Sequence, residues 1–352
     1  MLNRIFRVGT RTSPLALKQV NEVVTSLKRF YPEFQFEIVG IDTYGDKDKI
    51  TPISEVEGSD FFTKEIDEAL LKGEIDFAIH SAKDLPDNLA PGSFIAAITK
   101  SVDPSDVLIA RDNLKIDELK TGAKIGTSSL RRKAQLKNYR KDLQIIDIRG
   151  NVEERLKLLD ETDLDGIVVA AAGLIRLGLE DRITQRIPFD ILRPHPLQGS
   201  LAIAVRQADE EIISLMEKID SRRKIIFICV ENASRSQIAE GFLRHFGWQR
   251  FVARSGGIKP ADKIDPLAIE VMKEVEIDIS KQKPKLISKD LLSEQLVTVI
   301  SMGCLESCPA IKIDQNWQIE DPKGKSIERF RRVRDMIKEK IKKLTEKGCH
   351  GS

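Results

Sequence analysis

Cys229-Val-Glu-Asn-Ala-Ser-Arg235-Ser236 is a Cys-x5-Arg-Ser loop that follows an apolar run, Lys224 to Cys229, and opens a helical pattern. In such a loop backbone N–H groups wrap a tetrahedral oxyanion and the arginine, here Arg235, grips two of its oxygens. The positive end of the helix favours the thiolate, and Ser236 can hydrogen-bond the sulfur. Cys304 and Cys308 form a Cys-x3-Cys pair, Cys349 lies in the tail, and no cysteine precedes Cys229. The chain before it carries a different chemistry in four clusters: Arg11-Thr12-Ser13; His80-Ser81-Ala82-Lys83-Asp84-Leu85-Pro86; Gly126-Thr127-Ser128-Ser129-Leu130-Arg131-Arg132; and Arg149-Gly150-Asn151-Val152-Glu153-Glu154-Arg155. Hydroxyls and N–H groups at a helix start hold anionic oxygens, and guanidinium forks add bidentate recognition of carboxylates. Four such clusters on strand-to-helix loops point to a polycarboxylate or polyphosphate ligand held between two lobes.

The elements that must position these groups alternate. Arg7 to Thr10 ends a strand, and Ser13-Pro14 starts a helix with Ser at N-cap and Pro at N1. Val20, Val23, Val24 and Leu27 then recur at helical spacing. Strand Phe36–Asp42, helix Phe61–Leu71 and strand Ile75–His80 follow, then a strand at Lys124–Gly126, a helix through Arg131–Leu136, strand Gln144–Arg149, helix Val152–Leu159 and strand Gly166–Ala171. This rhythm predicts parallel sheets covered by helices, with ligands beyond the carboxyl ends of the strands. Ser101–Pro104 and Leu192–Gln198 read as hinges between lobes, and Gln207–Arg223 as a polar, charge-rich stretch. The major boundary falls near Ser221. Beyond it, strand–helix units restart at Lys224, and an amphipathic helix with Ile327, Phe330, Val333, Ile337, Ile341 and Leu344 on one stripe closes the chain.

At 352 residues, 41% hydrophobic and with a net charge of +2, the chain calls for two or three domains and shows no overall field for nucleic acid or membrane. The N-terminus is broken by Arg4, Arg7 and Arg11, and no apolar run is long enough to span a bilayer. A cytoplasmic protein with reduced thiols is expected. The four cysteines lack zinc spacing and clustered His, so no metal site is expected.

From Arg7 through Arg206 the order and wording of the anion-gripping clusters resemble porphobilinogen deaminase, also called hydroxymethylbilane synthase. The resemblance implies two lobes shaped like periplasmic solute-binding domains, residues 1–100 with 198–220 and residues 101–197. It also implies deamination and head-to-tail joining of four porphobilinogen molecules into a linear tetrapyrrole, each unit bringing an acetate and a propionate. By resemblance Asp84 is the catalytic carboxylate: loss of ammonia leaves a cationic azafulvene, which a nearby carboxylate stabilises while accepting the pyrrole N–H. Arg11, Ser13, Lys83, Ser129, Arg131, Arg132, Arg149 and Arg155 match cofactor- or substrate-binding positions, Thr127 and Ser128 share that loop, and Gln198-Gly199 matches the return to the first lobe. The family carries a dipyrromethane primer on a cysteine in a third domain, and here a different domain follows Arg206. Glu55 and Ser59 stand where the family usually has lysines, and Tyr44 replaces a commonly basic residue. The primer is then held differently, supplied in trans, or absent.

The rear part, roughly Lys224 to Leu344, resembles the low-molecular-weight tyrosine phosphatases and more closely their arsenate reductase branch. Ser255-Gly-Gly257, Ile277-Asp-Ile-Ser280, Met302-Gly-Cys304-Leu-Glu-Ser-Cys308-Pro309 and Asp321-Pro322 carry that likeness, and it implies a phosphatase-like Rossmannoid α/β domain over residues 221–352. By resemblance Asp321 is the general acid, Cys229 attacks arsenate or phosphate, Cys304 attacks Cys229, and Cys308 accepts the disulfide for a thioredoxin-like or small-thiol reductant. Two alternatives stay open: a front half that binds tetrapyrrole without chemistry, and a rear half that hydrolyses phosphomonoesters.

Overall fold

The computed structural model describes residues 4–48, 51, 59–86, 88–287, 297–303 and 311–347. Two compact units divide the chain at Ser221 and Arg222.

The first unit holds two five-stranded sheets. In chain order its elements are β1 (Ile5–Thr10), α1 (Pro14–Lys28), β2 (Gln35–Gly40), α2 (Tyr44–Lys47), α3 (Lys64–Leu71), β3 (Phe77–Ser81), β4 (Ser93–Ile98), β5 (Asp106–Ala110), β6 (Lys124–Gly126), α4 (Leu130–Tyr139), β7 (Gln144–Ile146), α5 (Val152–Glu161), β8 (Gly166–Ala170), α6 (Ala171–Leu177), β9 (Gln185–Arg186), β10 (Leu201–Arg206) and α7 (Glu210–Met216). One sheet runs β2-β1-β3-β10-β4 and the other β7-β6-β8-β5-β9. The chain leaves the first sheet after β4, builds the second, and returns through β10.

Periodicity alone predicts parallel sheets, but both sheets are mixed. β1 lies parallel to β2 and β3, whereas β10 is antiparallel to β3 and β4, and β5 is antiparallel to β8 and β9. Hydrophobic spacing carries no strand direction, and the strands that run against the rest are the ones joining the lobes. β4 and β5 flank the segment read as a hinge. The stretch read as polar contains α7, whose Ile212, Leu215 and Met216 are buried beneath charged neighbours. Its N-cap Asp209 accepts a hydrogen bond from the Ile212 N–H.

Alternate side chains from one face of the first sheet, among them Val8, Ile79, Ile203 and Val205, make a core with α1 and α7, in which Phe6 stacks on Phe34 at 4.9 Å and Phe77 tilts against both. The second sheet has a core on each side, one under α4 around Leu136 and one under α5 around Leu156 and Leu159. α1 opens as the sequence predicts: the Ser13 hydroxyl accepts from the Ala16 N–H and Pro14 sits at the first turn.

The second unit comprises β11 (Arg223–Cys229), α8 (Arg235–Phe246), β12 (Phe251–Gly257), α9 (Pro266–Lys273), β13 (Val297–Ser301), β14 (Gln315–Asn316) and α10 (Ile327–Lys347). Its sheet, β12-β11-β13-β14, is parallel throughout. Phe330, Val333, Ile337 and Ile341 of α10 enter its core. Among the described residues no helix is long and apolar enough to cross a membrane.

Gly199, where the chain returns to the first sheet, has φ +85°, and a Cβ there would lie 2.6 Å from the Asp103 carbonyl oxygen. Gly199→Ala is expected to destabilise the first unit by about 2–4 kcal/mol, through left-handed strain and that clash. Urea unfolding followed by a probe in each unit checks this, since the second unit's transition should stay put.

Candidate active sites

The two sheets of the first unit enclose a cleft of about 550 Å³. Arg11, Ser13 and Pro14 reach it from the β1–α1 loop, Lys83 and Asp84 from the 3-10 turn after β3, and Arg149 to Arg155 from the β7–α5 loop. Arg132 of α4 and Arg176 of α6 complete the cationic wall. Asp84 is exposed to this cleft. The helix after Arg149 is firmly seated: Asn151 and Glu154 form a capping box, and Gly150, at φ +100°, leaves no space for a Cβ, which would fall 2.6 Å from the Glu154 carboxylate.

The cations divide into two sets. Arg11 is held in a bidentate pair with Asp46, at 3.0 and 3.1 Å from its Nε. Arg176 pairs with Glu22 at 2.7 Å and donates to the Gly199 carbonyl, tying α6 to α1 and to the returning strand. Asp106, fully buried, accepts from Arg131 at 2.6 Å, Arg132 at 2.6 Å and the Gln198 amide at 3.0 Å. Burial would raise the Asp106 carboxyl, but the Arg132 and Arg131 guanidinium groups hold it below the usual carboxylate range.

Lys83, Arg149 and Arg155 form the second set: none is salt-bridged to a carboxylate among the described residues, and Asp84 and Glu154 act on Lys83 or Arg155 only from farther away. Arg149 donates to the Asp48 carbonyl at 2.7 Å while its Nε is buried without a partner, and Arg155 donates to the Gly150 carbonyl at 2.9 Å. Burial, with Arg132 nearby, pushes Lys83 down to about 8 against the pull of Asp84. Burial, with Arg132 and Arg149 beside it, pushes Arg155 down to about 10. An anion placed beside Lys83 and Arg155 would offset the cost of burying their charge.

The remaining sequence candidates lie off the cleft. The Ser128 hydroxyl donates to the Ile148 carbonyl and accepts from the Ile148 N–H, so it braces the β7 loop. Thr127 is buried with no partner for its hydroxyl among the described residues, and Ser129 occupies the N-cap position of α4 without a side-chain bond. Arg131 and Gln198 are spent on Asp106 and on backbone carbonyls. Glu55 lies outside the described residues; Ser59 and Tyr44 are exposed. Sequence reasoning missed Asp46, Asp106, Glu22 and Arg176. The spacing of Asp103-Pro104-Ser105-Asp106 carried no sign that its last carboxylate faces three distant donors.

In the second unit Cys229 ends β11, and its sulfur receives the Asn232 N–H at 3.1 Å. Asn232 holds φ +51°, fixed by side-chain bonds to Gln237 and by the Lys285 N–H. Ser236 Oγ lies 2.9 Å from the sulfur and accepts from the Asn232 amide at 2.8 Å, which leaves its proton for the sulfur. Arg235 donates to the Ile319 carbonyl at 2.8 Å and to Asp321 at 2.5 Å, while the other Asp321 oxygen accepts from the Lys323 N–H. Glu231 pairs with Lys323 at 2.6 Å. Cys304, Cys308 and Cys349 lie outside the described residues. Among the described residues no His, Cys, Asp and Glu cluster could hold a metal ion.

These features define a two-sheet α/β unit with a cation-lined cleft, followed by an α/β domain that carries a Cys-x5-Arg loop. Residues 6–214 match the family model described as porphobilinogen deaminase, dipyromethane cofactor binding domain. The porphobilinogen deaminase of Pelotomaculum thermopropionicum is 46% identical over 240 residues, 68% of this chain and 77% of that protein. That of Natranaerobius thermophilus is 48% identical over 223 residues, 62% of this chain and 72% of that protein. The chain belongs to the porphobilinogen deaminase family and works in porphyrin biosynthesis. Residues 224–348 match the low molecular weight phosphotyrosine protein phosphatase model. A solved arsenate reductase in its phosphate-binding state is 37% identical, covering 36% of this chain and 98% of that one, with a TM-score of 0.32.

The family's dipyrromethane cofactor fits this cleft by charge but not by anchor. Its carboxylates suit Lys83, Arg149 and Arg155, whereas the first unit contains no cysteine to form a thioether.

A cation that loses its proton near pH 8 grips anions less above that pH. Affinity for a linear pyrrole polycarboxylate is therefore expected to fall as pH rises through about 8, the value for Lys83. In Lys83→Arg, whose guanidinium stays charged, the fall should move to higher pH. Titration calorimetry from pH 7 to 9.5 checks both.

Proposed function

We propose that the first unit deaminates and condenses porphobilinogen on non-covalently held pyrroles. Asp84 accepts the pyrrole N–H and stabilises the cation left when ammonia departs; Lys83, Arg149 and Arg155 hold the acetate and propionate groups. Dipyrromethane, when bound, supplies a primer for chain growth. Ser13, Arg11 and Arg132 shape the walls, Arg131 and Gln198 act through the buried Asp106, and Ser128 braces the loop that also holds Thr127 and Ser129. The single observation that carries this reading is one open carboxylate, Asp84, sharing a cleft with three cations that no described carboxylate salt-bridges. Asp84→Ala should lower kcat for porphobilinogen consumption by about 10³-fold or more, with binding of a linear tetrapyrrole changed less than about threefold. Equal loss of both would show that Asp84 only shapes the cleft.

For the second unit we propose thiol-dependent arsenate reduction. Cys229 displaces an arsenate oxygen that Asp321 protonates, and Cys304 then attacks the Cys229 sulfur. Arsenite leaves with the electron pair as the disulfide forms. Cys308 takes over the disulfide, and a thioredoxin-like or small-thiol reductant of a reducing, cytoplasmic compartment restores the thiols. Support comes from the sulfur's two hydrogen bonds and from the Arg235–Asp321 pair beside it. Cys304→Ser should abolish multiple-turnover arsenate reduction and spare aryl phosphate hydrolysis, whereas Cys229→Ser should abolish both. The converse pattern for Cys304→Ser would favour phosphomonoester hydrolysis as the unit's own reaction.

A further inference from the structure

Behind Asp84 the cleft continues into a side pocket of about 80 Å³, with room for molecules of water's size and not for a substituted pyrrole. Thr10, Gln19, Thr63, His80 and Asp84 line it. His80, on β3, is buried, and its Nε2 has no hydrogen-bond partner among the described residues. A buried polar atom left without a partner marks a place where a small polar molecule belongs. Arg11, also on the wall, is ion-paired with Asp46, and what remains of its field helps keep the imidazole neutral while Asp84 offsets it for an incoming cation.

We propose that this pocket is the ammonia site of the deaminase reaction, receiving the aminomethyl nitrogen of porphobilinogen and the ammonia it becomes. The inference rests on the deaminase reading above. The C–N bond of the protonated aminomethyl group breaks and its electron pair leaves with nitrogen. NH₃ departs with its three N–H bonds intact, and the positive charge passes to the azafulvene beside Asp84. No oxidant, reductant or external base is needed. The imidazole supplies a lone pair for one N–H, which requires it to be neutral, and burial pushes His80 down to about 4. Ammonia is a stronger nucleophile than a pyrrole carbon. Drawing it behind Asp84 keeps it from adding back to the cation before the next pyrrole arrives.

The test uses the full chain as wild type, His80→Leu, His80→Gln and Thr63→Val, with ammonium chloride compared against sodium chloride at equal ionic strength and fixed pH. Ammonium is expected to inhibit wild-type porphobilinogen consumption beyond the sodium control. His80→Leu should lower ammonium sensitivity about fivefold and kcat about tenfold, with KM within about twofold, and His80→Gln should restore both. A folded His80→Leu with unchanged ammonium sensitivity would overturn the proposal. Should His80→Leu not fold, Thr63→Val is expected to show the same losses, and unchanged sensitivity there would overturn the proposal equally. Ammonium-specific thermal stabilisation is read in parallel. A wild type that consumes no porphobilinogen yet gains His80-dependent stability from ammonium sinks the deaminase reading and leaves the pocket's ligand in place. Loss of both signals sinks the pocket as well.

Discussion

The first unit turns on one buried carboxylate. Asp106 sits at the start of β5, the first strand of the second lobe, and accepts hydrogen bonds from Arg131, Arg132 and Gln198. Those donors come from the α4 end of one loop and from the segment that carries the chain back to the first sheet. A buried charge is tolerable only when paired and fully hydrogen-bonded, and removing one partner of such a set typically costs about 3–5 kcal/mol. The same contacts that keep Asp106 ionised therefore fix where the crossing segment runs and which way the Arg132 side of the cleft faces.

Charge balance then explains the rest of the site. A cleft crowded with guanidinium groups would push itself apart, and the chain answers with Asp46 on Arg11, Glu22 on Arg176 and Asp106 on Arg131 and Arg132. The cations left over are Lys83 and Arg155, whose burial leaves their positive charge under strain, and Arg149, whose buried Nε has no hydrogen-bond partner among the described residues. In the proposed reaction, carboxylates of the ligand complete the balance and Asp84 stabilises the positive charge that develops.

Much of this was legible in the residues. Ser13-Pro14, the Lys83-Asp84 turn, the Arg149 to Arg155 cluster and the Cys229 loop combine turn, cap and charge in short windows, and short-range chemistry reads well from sequence. What stayed hidden depends on long-range pairing. Asp106 lies 25 residues from Arg131 and 92 from Gln198, and no local pattern joins them. The antiparallel β10 depends on the path of the returning chain, and α7 was masked by charged residues around a thin apolar stripe. Serines that looked like ligands, Ser128 above all, are consumed by the backbone beside them.

The proposed function has pyrroles held by charge and not by a thioether. Mass spectrometry of the full chain after incubation with porphobilinogen tests it most directly, with spectra recorded natively and again after denaturation. Pyrrole mass present in the native spectrum and absent once the chain unfolds is the expected result. An adduct that survives denaturation, or a native spectrum without any pyrrole, would contradict it.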